Sequence, residues 1–307
     1  MDCQKREVCV LELWQIVLQS VFSGIGSGAI YGLIGVGFVI IFRTSGVVNF
    51  AQGEFVMLGA LVCVSLYQEA HLPLAIASLG AILIVAVTAA LIYRGTLLPA
   101  RKPKTLAEEL VVYFIIMLGV SISLRALAFI IWGKERYILP AFAGTTPFEI
   151  RGIFILPQTL IVIGAVSLAV IGLFTFLKFT LIGKALRAIT ADKWAASLMG
   201  MNTARITTIS FAIGGAVGAI GGIIVVPLAY ADFNMGIVFG LKGFIAGAIG
   251  GLTSLPLAVV GGLLLGIVES LVASLISSKF KNIVAFGILL ITVLIYTWVM
   301  RKKAGLR

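Results

Sequence analysis

The chain has 307 residues, of which 61% are hydrophobic and 11% are charged, and its net charge is +11. About a quarter of the residues in a soluble domain are charged, so this composition excludes a soluble globular protein and predicts an integral protein of the lipid bilayer. The basic residues do not gather on a polar domain with interleaved aromatic rings, which excludes nucleic acid as a partner.

Apolar runs follow one another along almost the whole sequence. A helix needs about 20 apolar residues to cross a hydrocarbon layer, so the runs predict an all-α polytopic membrane protein with eight or nine transmembrane helices. The count depends on how the first two runs divide, and some spans are expected to be short or broken. We expect a single domain over residues 1–307. The runs cover residues 13–42, 46–67, 73–93, 107–131, 154–177, 206–230, 235–253, 256–277 and 282–300.

The first apolar run holds 30 residues without a charge. It is too long for the core of a signal peptide, so we expect it to be retained. Its centre, residues 23–28, reads Ser-Gly-Ile-Gly-Ser-Gly. A bend or break is predicted there, because glycine has no side chain to stiffen a helix.

Three basic intervals carry +10 of the net charge of +11: residues 94–109 carry +2, and residues 178–205 and 301–307 carry +4 each. The positive-inside rule predicts that all three are cytoplasmic. Residues 132–153 then form an external loop, which is either a docking site for a partner or a plain connector. The side on which the N-terminus lies stays open, because the division of the first two runs is open.

The longest polar interval, residues 178–205, has the signals of a short helix between two spans. Asp192 is placed to cap a helix over residues 193–199, and Gly200 is placed to end it in the left-handed conformation. Asn202 can then cap the next span. This cytoplasmic loop is either held to the inner leaflet by its positive charges or docks into another protein.

Glycines recur at strict four-residue spacing in three of the runs. Residues four apart share one face of a helix, so each ladder predicts a smooth face where another helix backbone approaches closely. Such packing is either static or part of a moving interface. The ladders are Gly24, Gly28 and Gly32; Gly214, Gly218 and Gly222; and Gly243, Gly247 and Gly251.

Few polar side chains interrupt the apolar runs. Ionisable groups in a membrane are costly, so they are either functional or paired with one another or with the backbone to hold the bundle. The candidates are Arg125, Glu269 and the cluster Asn49, Gln52 and Glu54.

The segment around that cluster allows two structures. If residues 44–60 form one helix, Gly46, Asn49, Gly53 and Ala60 share a narrow face, which suits a close helix crossing bridged by the amide. The alternative is a capped junction between two spans.

Residue sets for catalysis or metal binding are missing from the sequence. His71 is the single histidine, and Cys3, Cys9 and Cys63 lack the spacing of metal ligands. The serines in the spans have no histidine base, so an enzyme is not expected. Gly183-Lys184 is followed by alanine, so no phosphate-binding loop exists and ATP-driven work needs a separate ATPase chain.

Three segments in order resemble the permease subunit of branched-chain amino acid ABC importers, the LivH type. They are TSGVVNFAQGEFVMLGA at residues 44–60, GKALRAITADKWAASLMGMN at 183–202, and GLKGFIAGAIGGLTSLPLAVVGGLLLGIVES at 240–270. The resemblance extends over nearly the whole chain, from about residue 15 to residue 301.

The resemblance implies which residues couple the chain to an ATPase. Ala195, Ala196 and Gly200 match the A-A-x-x-x-G part of the importer coupling motif, whereas Trp194 replaces its leading Glu. Asp192 or Arg187 is expected to supply the charged contact instead. Asn49, Gln52 and Glu54 are expected along the translocation pathway.

The resemblance also implies a machine of several chains in the bacterial inner membrane. The expected partners are a second, homologous permease, two cytoplasmic ATPases that bind ATP and Mg, and an external solute-binding protein. This chain is expected to bind no cofactor itself. The alternatives are a stand-alone secondary carrier or channel for a small polar solute, and an ABC permease for small amides.

Overall fold

The computed structural model describes residues 2–100, 106–140, 142, 144, 146–150 and 153–304. The intervals 94–109, 132–153 and 301–307 therefore lie partly outside the described residues. The helices are α1 (Asp2–Ser45), α2 (Gln52–Gln68), α3 (Leu74–Ile92), α4 (Leu106–Trp132), α5 (Pro157–Phe179), α6 (Leu181–Ala191), α7 (Lys193–Leu198), α8 (Thr203–Val225), α9 (Met235–Ile249), α10 (Leu255–Leu275) and α11 (Lys281–Ala304).

In the described part of the chain, seven helical segments are long and apolar enough to cross a membrane, and they make this a multi-pass membrane protein. Two further helices, α2 with 17 residues and α9 with 15, are shorter. At about 1.5 Å per residue they are about 25 and 22 Å long, less than a hydrocarbon layer of about 30 Å. The prediction of a polytopic helical protein with some short spans is confirmed.

α1 is one uninterrupted helix through residues 23–28, so the break that was one of the two predicted alternatives is wrong. Its glycines lie against α10. A Cβ on Gly24 would lie 2.6 Å from Ile267 Cα, and a Cβ on Gly28 would lie 2.8 Å from Leu263 Cα. Contact with the α10 backbone therefore fixes a stretch that glycine alone would leave flexible.

Residues 46–51 connect α1 to α2, so the single helix considered for residues 44–60 is wrong and the capped junction is correct. Gly46 has φ +80°, a left-handed conformation that glycine adopts without strain at the end of a helix. Asn49 Oδ1 accepts a hydrogen bond from Ala51 N at 3.1 Å. An asparagine that binds its own backbone two residues on stabilises a turn rather than a helix.

The loop after α4 and the loop before α9 lie at the same end of the bundle. Tyr137 and Ala231 exchange backbone hydrogen bonds of 3.0 and 2.9 Å. The hairpin of β1 (Phe148–Ile150) and β2 (Ile153–Ile155) follows in the first of these loops, and the all-α prediction missed it.

Two hydrogen bonds show which helix ends share a side of the membrane. Arg43, near the end of α1, donates to Thr190 Oγ1 of α6 at 3.3 Å, and the hydroxyls of Ser20 and Ser274 are 2.6 Å apart. Ser274 lies near the end of α10, whereas the start of α10 lies on the same side of the membrane as α6. The start of α1, which contacts Ser274, is therefore on the side opposite to α6. If residues 178–205 are cytoplasmic, as the positive-inside rule predicts, the start of α1 lies on the outside.

This orientation predicts the labelling of introduced cysteines. In a variant without the native cysteines, Lys134→Cys should react with an impermeant thiol reagent added outside the cell. Lys184→Cys should react only after the membrane is opened. Both side chains are exposed, so burial cannot explain a failure to react. Labelling of position 184 from outside would contradict the orientation.

Candidate functional site

The polar interval 178–205 folds as two helices, α6 and α7, rather than one. Thr180 starts α6, because its Oγ1 accepts a hydrogen bond from Gly183 N at 3.1 Å. The buried residues of α6, Gly183, Leu186 and Ile189, recur every three positions and face the bundle. The expectation of a single helix in this interval missed α6.

Asp192 caps α7 as the sequence predicts. Its Oδ1 accepts hydrogen bonds from Trp194 N at 2.8 Å and from Ala195 N at 2.9 Å. After α7 the chain passes through Gly200, with φ +81°, to Asn202, whose Oδ1 accepts a hydrogen bond from the first turn of α8. The ends of α7 are therefore fixed by local hydrogen bonds and by a glycine.

The surface formed by α7 and its C-terminal end is apolar and faces away from the bundle. Trp194 is 72% exposed, Leu198 66% and Met199 82%. Ala195 is exposed as well, whereas Ala196 is buried and seats α7 on the protein. A cluster of large exposed apolar side chains outside the membrane spans is typical of a surface that a partner protein covers.

Arg187 lies in α6 and contacts the end of α5. Its guanidinium donates to the backbone carbonyl of Leu177 and, at 3.3 Å, to that of Lys178. The last carbonyls of a helix have no partner within the helix, so this contact satisfies two of them. Arg187 therefore joins α6 to α5.

Gln52, at the start of α2, is fully buried and bound to α8. Its Nε2 donates to the carbonyl of Gly214 at 2.9 Å. Gln52 Oε1 and Asn49 Nδ2 are buried without a hydrogen-bond partner in the described part of the chain. Buried polar atoms of this kind are expected to bind water or a polar solute.

Glu54 is buried and forms an ion pair with Arg125 of α4, whose side chain is 26% exposed. Its Oε1 accepts hydrogen bonds from Arg125 Nη2 at 2.6 Å and from Ser121 Oγ at 2.9 Å. Its other oxygen, Oε2, has no partner among the described residues, and neither has Arg125 Nε. The pairing of two ionisable groups inside the bundle is one of the alternatives that the sequence allowed.

The ion pair lies in the wall of a cavity of about 200 Å³ between α1, α2, α4 and α9. Most of the remaining wall is apolar, and Phe38, Phe50 and Phe244 contribute their rings. Of the three residues expected along the pathway, Glu54 lines this cavity, which we call the Glu54 cavity, whereas Asn49 and Gln52 do not.

The glycine ladders lie at contacts of α1, α8 and α9 with neighbouring helices. A Cβ on Gly32 would lie 3.0 Å from Val259 Cα of α10, and one on Gly218 would lie 3.0 Å from Phe55 Cβ of α2. The remaining helical members also face neighbours: Gly24 and Gly28 face α10, Gly214 faces α1, Gly222 faces α2, and Gly243 and Gly247 face α1.

Gly251 is the exception among the ladder residues. It lies in the turn after α9 with φ +64°, so its predicted place on a helix face is wrong. α9 ends at Ile249, and a glycine in the left-handed conformation lets the chain turn towards α10.

A second buried ion pair was not predicted. Lys242 of α9 donates to Glu269 of α10 and, at 3.1 Å, to Tyr31 Oη of α1. Lys281 Nζ lies 3.8 Å from the same carboxylate. Lys242 was missed because it is a single charge inside an apolar run, and its partner lies 27 residues further along the chain.

Neither buried ion pair forms a metal site. Each brings one carboxylate to its cations, and in the described ranges no group of three His, Cys, Asp or Glu side chains comes together. Protein metal sites commonly use three or more such ligands.

The family model and the relatives that match most of this chain are described as permeases of branched-chain amino acid transport. A family described as "Branched-chain amino acid transport system / permease component" matches residues 20–293. The high-affinity branched-chain amino acid transport system permease protein LivH of Escherichia coli (strain K12) is 31% identical over 292 residues, which are 91% of this chain and 93% of the relative. The corresponding protein BraD of Pseudomonas aeruginosa is 29% identical over 291 residues, 90% and 93% of the two chains. Among solved structures, PsaBC from Streptococcus pneumoniae in complex with Fab covers 90% of each chain with 14% identity and a TM-score of 0.49.

Proposed function

Because the chain belongs to the family of permease components of branched-chain amino acid transport systems, we propose that it is the membrane subunit of an ATP-driven importer for branched-chain or other small aliphatic amino acids. The match over residues 20–293 is the observation that carries the proposal. A second, homologous permease, two cytoplasmic ATPases and an external solute-binding protein complete the importer. ATP and Mg bind to the ATPases, and this chain binds no cofactor.

The ATPase docks on the apolar surface of α7. Trp194, Leu198 and Met199 supply the contact area, and the exposure of all three supports this assignment. The caps Asp192 and Gly200 hold α7 in shape, so that movement of the ATPase displaces the helix as a unit.

Movement of α7 reaches the Glu54 cavity through α8. Asn202 ties the end of the α7 loop to α8, and α8 carries Gly214, to which Gln52 is bound. Gln52 and Glu54 share the first turn of α2. A tilt of α8 therefore shifts Glu54 against Arg125 of α4, which opens or closes the cavity.

The Glu54 cavity offers a partner to each part of an aliphatic amino acid. When the cavity opens, the Glu54 carboxylate binds the ammonium group, the Arg125 guanidinium binds the carboxylate, and the phenylalanine rings contact the aliphatic side chain. The solute occupies the cavity as a zwitterion. Its ammonium and carboxylate groups replace Arg125 and Glu54 as each other's partners, so every charge in the cavity stays paired.

The role of α7 is tested with Asp192→Ala and its matched control Asp192→Asn. Loss of the cap costs about 1 kcal/mol, which lowers the equilibrium constant for folding of α7 about fivefold, whereas asparagine caps as well as aspartate. We expect Asp192→Ala to lower leucine uptake per ATP hydrolysed several-fold in vesicles that hold the complete importer. Asp192→Asn should behave as wild type.

Two results would contradict the proposal. Unchanged coupling in Asp192→Ala would mean that the shape of α7 does not transmit ATPase movement. Uptake of leucine by vesicles that contain this chain alone would instead identify a stand-alone carrier.

A further inference from the structure

A second cavity, of about 600 Å³, opens at the cytoplasmic end of the bundle. It lies between the end of α1, the hinge from α5 to α6 and the start of α10. Its wall combines three basic side chains, Arg43, Lys178 and Arg187, with apolar surface such as that of Phe174 and Leu255. We call it the basic cavity.

In the part of the chain that the structure describes, the three basic side chains have no counter-charge. Within the described residues, none of them has a carboxylate within 4.0 Å. Arg43 donates to the hydroxyl of Thr190, and Arg187 donates to backbone carbonyls, so their hydrogen-bond partners are neutral. Three positive charges around one cavity repel one another, and an anion placed between them would remove that repulsion.

The position and the apolar wall of the cavity select the kind of anion. α1 ends at Ser45 and α10 begins at Leu255, so the cavity lies where spans reach the membrane surface and phospholipid headgroups lie. A small free anion would satisfy the cations but leave the apolar wall uncovered. A phospholipid with a negative headgroup satisfies both, and basic pockets between spans on the cytoplasmic side are suited to such lipids.

We propose that the basic cavity binds one anionic phospholipid, with its phosphate between Arg43, Lys178 and Arg187 and an acyl chain along Phe174 and Leu177. The site is separate from the Glu54 cavity and from the apolar surface of α7. The bound lipid contacts α1, α5 and α6 together. It therefore stabilises the connection between α5 and α6, from which the chain continues into α7. The composition of the inner leaflet thereby adjusts how firmly α6 is seated.

The experiment measures binding of phosphatidylglycerol to the purified protein. Bound lipid is counted by native mass spectrometry, and the rise in melting temperature is recorded with phosphatidylglycerol, with phosphatidylcholine and with inorganic phosphate. The variants are Lys178→Gln, the double variant Arg43→Gln with Lys178→Gln, and the matched control Lys184→Gln. Lys184 is an exposed cation of α6 that does not line the cavity.

We expect wild type and Lys184→Gln to retain phosphatidylglycerol in preference to phosphatidylcholine. Each neutralised cation should weaken binding about fivefold, so the double variant should bind about 25-fold more weakly. Lys178 is exposed, so Lys178→Gln should fold and gives a result even if the double variant does not.

Three results would overturn the proposal. Wild-type binding by Lys178→Gln would exclude the cavity as the site. An equal loss in Lys184→Gln would indicate general attraction to the basic loop. An equal rise in melting temperature with inorganic phosphate alone would identify a phosphate site rather than a lipid site.

Discussion

Replacing Gly262 with alanine is expected to destabilise the protein severely. A Cβ on Gly262 would overlap the backbone of Gly32 and would lie 2.7 Å from the carbonyl oxygen of Gly28. Backbone atoms cannot move aside as the end of a side chain can, so α1 and α10 must separate along their contact. Helices in lipid associate through close packing with little hydrophobic drive, so this separation is not compensated. We expect a loss of about 3 kcal/mol or more and a much lower yield of folded protein.

The matched control is Gly164→Ala on α5, where a Cβ would meet nothing within 4 Å. Alanine favours a helix over glycine by up to about 1 kcal/mol, so this variant should melt at or above the wild-type temperature. Both variants are compared by yield and melting temperature in the same detergent. If Gly262→Ala melts as wild type does, α1 and α10 are not in backbone contact.

Glu54→Gln is expected to abolish most of the transport while the complete importer still assembles. The substitution removes the carboxylate that partners Arg125 and, as proposed, the ammonium group of the solute. Hydrogen bonds to charged groups contribute about 1.5 to 3 kcal/mol, so the KM for uptake should rise, or the rate fall, about 10- to 150-fold. The measurement is leucine uptake by vesicles containing the importer, with ATP hydrolysis recorded in parallel.

Two further variants separate transport from stability. Glu269→Gln removes the carboxylate of the other buried ion pair, so it should destabilise the protein but leave the KM for leucine unchanged. The exchange of Glu54→Arg with Arg125→Glu restores a pair and should leave the importer assembled without recovering transport, because the two charges then meet the wrong ends of the solute. Wild-type uptake by the exchanged variant would show that the pair serves packing alone.

The features of this fold that depend on neighbouring residues could be predicted from the sequence. Asp192, Gly200 and Asn202 define the ends of α7 and α8 through contacts no more than three residues away. The spans could be located for the same reason, because the length and composition of each apolar run decide by themselves whether it can cross the membrane.

The features that depend on distant residues could not be predicted. The continuity of α1 at residues 23–28 depends on α10, more than 230 residues along the chain. The ion pair of Glu54 with Arg125 joins α2 to α4 across 71 residues, and Lys242 reaches Tyr31 across 211. α6 could have been predicted from its own sequence. Its buried residues, Gly183, Leu186 and Ile189, recur every three positions, but the interval around them is polar overall and hides this pattern.

Two helix N-termini meet at the Glu54 carboxylate. Glu54 lies in the first turn of α2, and a Cβ on Gly236, in the first turn of α9, would lie 2.5 Å from Glu54 Oε2. Each N-terminus carries about half a positive charge. Because Glu54 is paired with Arg125, the two helix ends add positive partial charge to the wall of the Glu54 cavity.

An electropositive constriction repels protons, sodium ions and cationic amino acids, as the positive ends of half-helices do in selective channels. Bacterial inner membranes maintain an electrical potential that every such ion would dissipate. In the proposed importer, we therefore expect the convergence of α2 and α9 to keep ions out of the solute route, so that a neutral zwitterion crosses without discharging the membrane.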